Sequence, residues 1–197
     1  MDIKVKNVRI AFCDSLEVAK DYNGDKKFRH SATLLVDLGS EADKTIRSAI
    51  LQSAKVEFKD KAEGMLEGIA GNTNKNCYTK GDLKLGKYDG FDGKMALAAH
   101  RGIKQGPPKL RAVDGKTAAE PGLIYAGCYV NAVVSIHAQS KTNIGIRCGL
   151  IGVQFLRDGD AFSGSRLQEG AFDDLSVGGG EPSEPSEPSD PLDDLMG

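Results

Sequence analysis

The sequence predicts a mainly β fold: a small, partly open barrel with one inserted helix, followed by a segment that does not fold. Three observations carry that expectation. Apolar residues alternate with period two in the first and last thirds of residues 1–172. One stretch near residue 50 switches to helical spacing. Beyond Leu175 the composition changes to Gly, Glu, Pro, Ser and Asp, which cannot bury enough surface to order itself.

Residues 2–12 read as a strand. Ile3 and Val5 share a face, and Val8, Ile10 and Phe12 resume the alternation after a slip at Lys6-Asn7, the mark of a bulge. Asp21 to Asp25 is a turn cluster and Lys27 to Val36 a second strand, so 2–36 is expected to form a long hairpin. Ser40, with Asp43 three residues on, caps a helix whose stripe is Ile46, Ile50, Ala54 and Phe58. The helix is expected to continue through 59–70 and stop near Gly68 or Gly71. Residues 71–93 read as loop, and Met95 to His100 as a short strand. Gly106-Pro107-Pro108 interrupts regular structure. Leu123 to Gln139 and Ile144 to Leu156 form a second strand pair around Ser140–Asn143, and Arg157 to Asp160 turns again. Five or six strands with one inserted helix suit a barrel of the OB type. The expected domains are a body over 1–172 and a disordered acidic tail over 173–197.

Charge is divided unevenly. The chain has a formal net charge of −2. The tail holds eight acids and no base, whereas 1–172 holds all 26 bases and 20 acids, a net of +6. Ten bases and four acids fall in 75–116, so that one Gly-rich segment carries the whole excess. Tyr78, Tyr88 and Phe91 are interleaved with its cations. Cations that track phosphates and rings that stack on bases are the two requirements for holding a single strand, each stacked base contributing about 1–3 kcal/mol whatever its identity. The candidate nucleic-acid-binding residues are therefore Arg29, Tyr78, Lys80, Lys84, Lys87, Tyr88, Phe91, Lys94, Arg101, Lys104, Lys109 and Arg111. Phe28, Tyr125 and Tyr129 are further aromatic candidates.

Other chemistry is not indicated. Four cysteines without a CxxC pair and three scattered histidines give no zinc signature and read as buried free thiols in a reducing compartment. No HExxH, GxSxG or phosphate-binding glycine motif occurs. Asp158-Gly159-Asp160 reads as a charged turn rather than a metal site, and His137 as a core histidine. No enzyme, cofactor or metal is expected, nor any membrane span. The N-terminus alternates charged and apolar residues, unlike a signal peptide, so the expected location is the cytoplasm.

Five stretches carry a family likeness: Lys27 to Val36, Gly93 to Ala99, Lys109 to Gly115, Tyr125 to Ala132, and Gly149 to Gly159. In these the chain resembles the phage single-stranded DNA-binding proteins, small helix-destabilising proteins with an OB fold and an acidic tail. The resemblance implies a protein that coats single strands in phage replication or recombination, in the host cytoplasm. The alternative is a structural or assembly barrel of a phage particle. Two departures stand out: the chain has no tryptophan, and the tail ends in Leu-Met-Gly rather than an aromatic. Asp190, Leu192, Asp193, Asp194, Leu195 and Met196 form an acidic–apolar peptide suited to a basic-rimmed pocket on a replication or recombination partner.

Overall fold

The computed structural model describes residues 1–162 except Tyr22, Asn23, Asp25 and 85–87, with Lys84 described in its backbone alone. The chain divides into two units, Met1–Arg166 and Leu167–Gly197. The expected tail at 173–197, with its partner-binding peptide, lies outside the described residues.

Seven strands are present among the described residues: β1 (Asp2–Ala11), β2 (Arg29–Asp37), β3 (Tyr78–Lys80), β4 (Lys94–Gly102), β5 (Lys109–Arg111), β6 (Tyr129–Gln139) and β7 (Gly145–Arg157). The sheet order is β3-β4-β2-β1-β6-β7-β5, and a parallel bridge from His100 to Gly149 joins β4 to β7. That bridge closes β1, β2, β4, β7 and β6 into a five-stranded ring, the OB arrangement expected from the element order. β3 and β5 are three-residue additions at its margins.

The bulge in β1 fixes which residues enter the barrel. Against β6 the register moves from Val5–Ala132 to Val8–Val130, one extra residue on β1. The extra residue restores parity, so Val5, Val8 and Ile10 all face inward. Asn7 takes φ 51°, which asparagine tolerates better than most residues. Its N–H donates to Asn131 Oδ1 at 3.0 Å. The predicted long hairpin is only partly formed. β2 pairs with β1 at Arg9–Ala11, while most of β1 lies along β6, because ring closure needs each strand to be shared by two neighbours.

The interior is continuous and apolar, with Val5, Ile10, Leu34, Val36, Leu97, Val134, Ile136 and Leu150 fully buried. Each contributes roughly 1.5–3 kcal/mol. The helical insert is two helices, α1 (Glu41–Phe58) and α2 (Ala62–Ile69), rather than the single one expected. Lys59 adopts φ 53° and ends α1, and a short 3-10 turn over Lys59–Lys61 follows. Ile46, Ile50 and Ala54 of α1 join the core. Ser53 Oγ and the chain's amino terminus both donate to the carbonyl of Ile136, at 3.0 and 2.7 Å.

All four cysteines are buried and free. Burial, with Cys128 close by, pushes the Cys13 thiol up to about 12. His137, expected inside, is exposed. On β6 the inward positions are Val130, Ala132, Val134 and Ile136, so strand alternation sends 137 outward.

Candidate nucleic-acid interface

Tyr78 and Phe91 were expected to offer ring faces, and the structure buries both. Tyr78 is 4 % exposed, and its hydroxyl donates to Asp43 Oδ1 at 2.7 Å. Asp43 completes the cap of α1: its N–H donates to Ser40 Oγ, and its Oδ2 accepts from Gly39 N–H at 2.9 Å. Arg47 Nε donates to the same carboxylate at 2.7 Å. Burial opposes that charge, but these donors together hold the Asp43 carboxyl below the usual carboxylate range. Burial, then the Asp43 bond, pushes the Tyr78 phenol up. Phe91 is 2 % exposed and packs on Ala11, Leu35 and Ala96 across the outside of β1, β2 and β4. Phe91 is buried because an outward face of the sheet is itself covered, and Tyr78 because it is in register with inward-facing Leu97 and joins the main core; a one-dimensional pattern shows neither.

The predicted cations are dispersed. Lys94 pairs with Asp37. Lys80 and Lys94 border a groove of about 630 Å³ beside α2, which Glu67 and Asp82 also line. Arg101 spends its guanidinium on the carbonyls of Gln105, Gly106 and Leu150, at 2.9, 2.8 and 3.3 Å. It thereby folds the β4–β5 connection and sets β5 beside β7. Lys104 is exposed in that connection, and Arg29 is half-buried at the start of β2. The side chain of Lys84, and Lys87, lie outside the described residues.

Lys109 and Arg111 are brought together with cations that the charge argument missed. They line a groove of about 360 Å³ with Lys4 and Lys6 of β1, floored by residues of β6 and β7. No carboxylate lines it among the described residues. Alternation places Lys4 and Lys6 outward because Ile3 and Val5 point in. β5 comes close because β7 has a glycine opposite it: a Cβ on Gly152 would lie 2.9 Å from the carbonyl of Lys109. Asp114, in the turn after β5, is hydrogen-bonded locally and also feels the charge of Arg111. Its carboxylate accepts from Thr117 Oγ1 and from the N–H groups of Lys116 and Thr117, which holds it below the usual range.

The groove continues into a stripe of guanidinium groups and rings. Asn131 Nδ2 donates to Gln154 Oε1 at 3.4 Å, and Gln154 Nε2 to the carbonyl of Val113 at 2.8 Å. Arg157 donates to Asn7 Oδ1 and stacks 3.4 Å from the centroid of Tyr129. Arg9 lies between Tyr129 and Phe162, 5.8 and 4.4 Å from their centroids. Farther round, Phe12 meets Tyr88 edge-on at 4.9 Å and Phe91 at 5.4 Å. Phe12 and Tyr88 are 39 % and 47 % exposed. Phe12 takes φ 49°, a strained conformation for a bulky residue and one that recurs at binding sites. Tyr125 is buried, its hydroxyl 2.8 Å from Asp158 Oδ1 and 3.0 Å from the carbonyl of Gly159. That bond assigns Asp158-Gly159-Asp160 to holding the chain crossing. There Gly127 and Gly159 meet so closely that a Cβ on either would lie within 2.4 Å of a facing carbonyl.

A closed five-stranded barrel with an open cationic sheet face and flanking rings is an oligonucleotide-binding architecture. The family model described as the ssDNA-binding protein of Enterobacter phage Enc34 matches residues 1–181, and the chain belongs to that family. The putative protein p50 of Acyrthosiphon pisum secondary endosymbiont phage 1 is 36 % identical over 183 residues, 90 % of this chain and 95 % of that protein. Among solved structures, the single-stranded DNA-binding protein of bacteriophage Enc34 in complex with ssDNA shares the fold. Its TM-score is 0.63 at 20 % identity, over 81 % of this chain and 88 % of that one. The single-stranded DNA-binding protein gp2.5 of bacteriophage T7 aligns with a TM-score of 0.52 at 12 % identity, over 85 % and 97 %.

Proposed function

We propose that the protein coats single-stranded DNA without strong sequence preference, in phage replication or recombination in the host cytoplasm. The observation that supports this reading best is the groove of Lys4, Lys6, Lys109 and Arg111, four cations with no lining carboxylate among the described residues. These side chains take phosphates. Tyr88, exposed beside Phe12, takes a base face. Neither set offers a fixed pattern of donors and acceptors for base edges, so binding tolerates sequence. Arg29 and Lys104 extend the cationic surface. Lys80, Lys94 and Arg101 stand outside the site, since they border the other groove or are spent on carbonyls. The protein acts by binding, without catalysis.

The tail is the regulator in this reading. Its eight acids and the body's net +6 attract, and tethering gives an effective concentration on the order of millimolar. DNA, with its denser charge, displaces it and frees the peptide from Asp190 to Met196 for a replication or recombination partner. Fluorescence anisotropy with labelled single-stranded oligonucleotides of two unrelated sequences and the matching duplex tests the proposal. Comparable, salt-sensitive binding of both single strands is expected, and a strong preference for one sequence or no binding at low salt refutes it.

A further inference from the structure

Phe162 lies five residues beyond β7 and is half-buried, held by several contacts. Its N–H donates to the carbonyl of Ala126 at 3.1 Å. Its ring packs against the cluster of Ala11, Leu35, Phe91 and Ala96 on the outside of the barrel. Gly90, at φ +81°, faces it so closely that a Cβ there would lie 2.4 Å from ring atom Cε1. The ring thus fills the space a side chain at 90 would need, in the segment that carries Tyr88. The ring also meets Arg9, whose guanidinium carbon stands 4.4 Å from the ring centroid. Arg9 is also fixed by its edges: Nε donates to the carbonyl of Gly127 at 2.9 Å and Nη2 to that of Asp160.

Resting on the reading above, we propose that Phe162 is a positioning residue for DNA binding. It clamps Arg9 against its ring and pins the segment bearing Tyr88 to the barrel, so that the cationic and aromatic halves of the stripe keep one spacing. A guanidinium has five N–H donors. Two are used on carbonyls, and the remaining three are presented in a fixed orientation for a phosphate. A mobile arginine would lose side-chain entropy on binding; a clamped one has already lost it. Residues 158–162 therefore belong to the binding surface, although they are neither strand nor basic.

The test uses the full-length chain with Phe162→Ala and Phe162→Leu. Leucine keeps an apolar plug and removes the π face. Three quantities are read for each: affinity for a labelled oligo-dT at low salt, the Arg9 Nε–H resonance, and amide hydrogen exchange over 88–93. The alanine variant is expected to bind about three- to tenfold more weakly, the range a cation–π contact supports. Exchange over 88–93 should quicken and the Arg9 resonance should move. Leucine should slow that exchange again without restoring the Arg9 resonance or the affinity. Wild-type affinity together with an unmoved Arg9 resonance in Phe162→Leu overturns the clamp, even if Phe162→Ala does not fold. If the unaltered protein fails to bind oligo-dT, the DNA reading fails instead, and the resonance and exchange data still decide whether Phe162 clamps Arg9.

Discussion

Removing two of the four groove cations gives the sharpest quantitative expectation. Lys4 and Lys109 approach the groove from β1 and β5 and are exposed. Replacing both with Ala leaves the core untouched, so stability should change by no more than about 0.5 kcal/mol per site. For single strands, each neutralised phosphate adds about 0.7 to the slope of log K against log salt. Four groove contacts give a slope of about −2.8, a loss of roughly 50-fold in affinity between 50 and 200 mM salt. With Lys4 and Lys109 gone the slope falls to about −1.4, and the loss over that range shrinks to roughly 7-fold. Arg9 and Arg157, if they also meet phosphates, steepen both slopes equally and leave the difference unchanged. The assay is anisotropy titration of a labelled oligo-dT at four or five salt concentrations. Lys80→Ala, on the groove beside α2, serves as the control and should leave the slope as it was. A Lys4→Ala/Lys109→Ala slope equal to that of the unaltered protein refutes the assignment of phosphates to this groove.

The rings divide by burial. Tyr88→Ala should cost about 1–3 kcal/mol of DNA affinity with little change in melting temperature. Phe91→Ala should instead lower stability by about 3–5 kcal/mol, read by urea denaturation; equal stability losses would place Tyr88 in the core too. Tyr78→Phe removes the donor to the Asp43 carboxylate and should destabilise by about 1.5–3 kcal/mol at neutral pH. Because the folded Asp43 is shifted below its unfolded value of about 3.9, its contribution is complete above that pH and disappears as the pH falls through the folded value. The difference between Tyr78→Phe and the unaltered protein should therefore narrow in acid, and a gap that widens there contradicts the assignment. Deleting 173–197 should raise DNA affinity at about 20 mM salt, with the gain shrinking as salt rises. Unchanged affinity at that salt means the tail does not compete.

Local rules made the barrel strands, the β1 bulge, the Ser40 cap and the β6–β7 turn legible in the sequence, because each depends on neighbours within a few residues. The burial of Val5, Val8 and Ile10 follows from alternation plus one inserted residue, and both can be read in one dimension. The charge split between 1–172 and 173–197 is likewise a property of the sequence alone. Where the cations gather is not. Lys4 and Lys6 sit about a hundred residues from Lys109 and Arg111, and they share a groove only because the sheet sets β1, β6, β7 and β5 side by side. A window over 75–116 found the excess charge but not its geometry, since Arg101 and Lys94 in that window are taken up by carbonyls and by Asp37. The aromatics show the same division. Tyr78 and Tyr88 are equally surrounded by lysines in sequence, yet one is buried against Asp43 and the other is exposed beside Phe12. Periodicity reports which side of a strand a residue occupies. Whether that side meets solvent depends on what long-range contacts lay over it, and only the tertiary structure decides that.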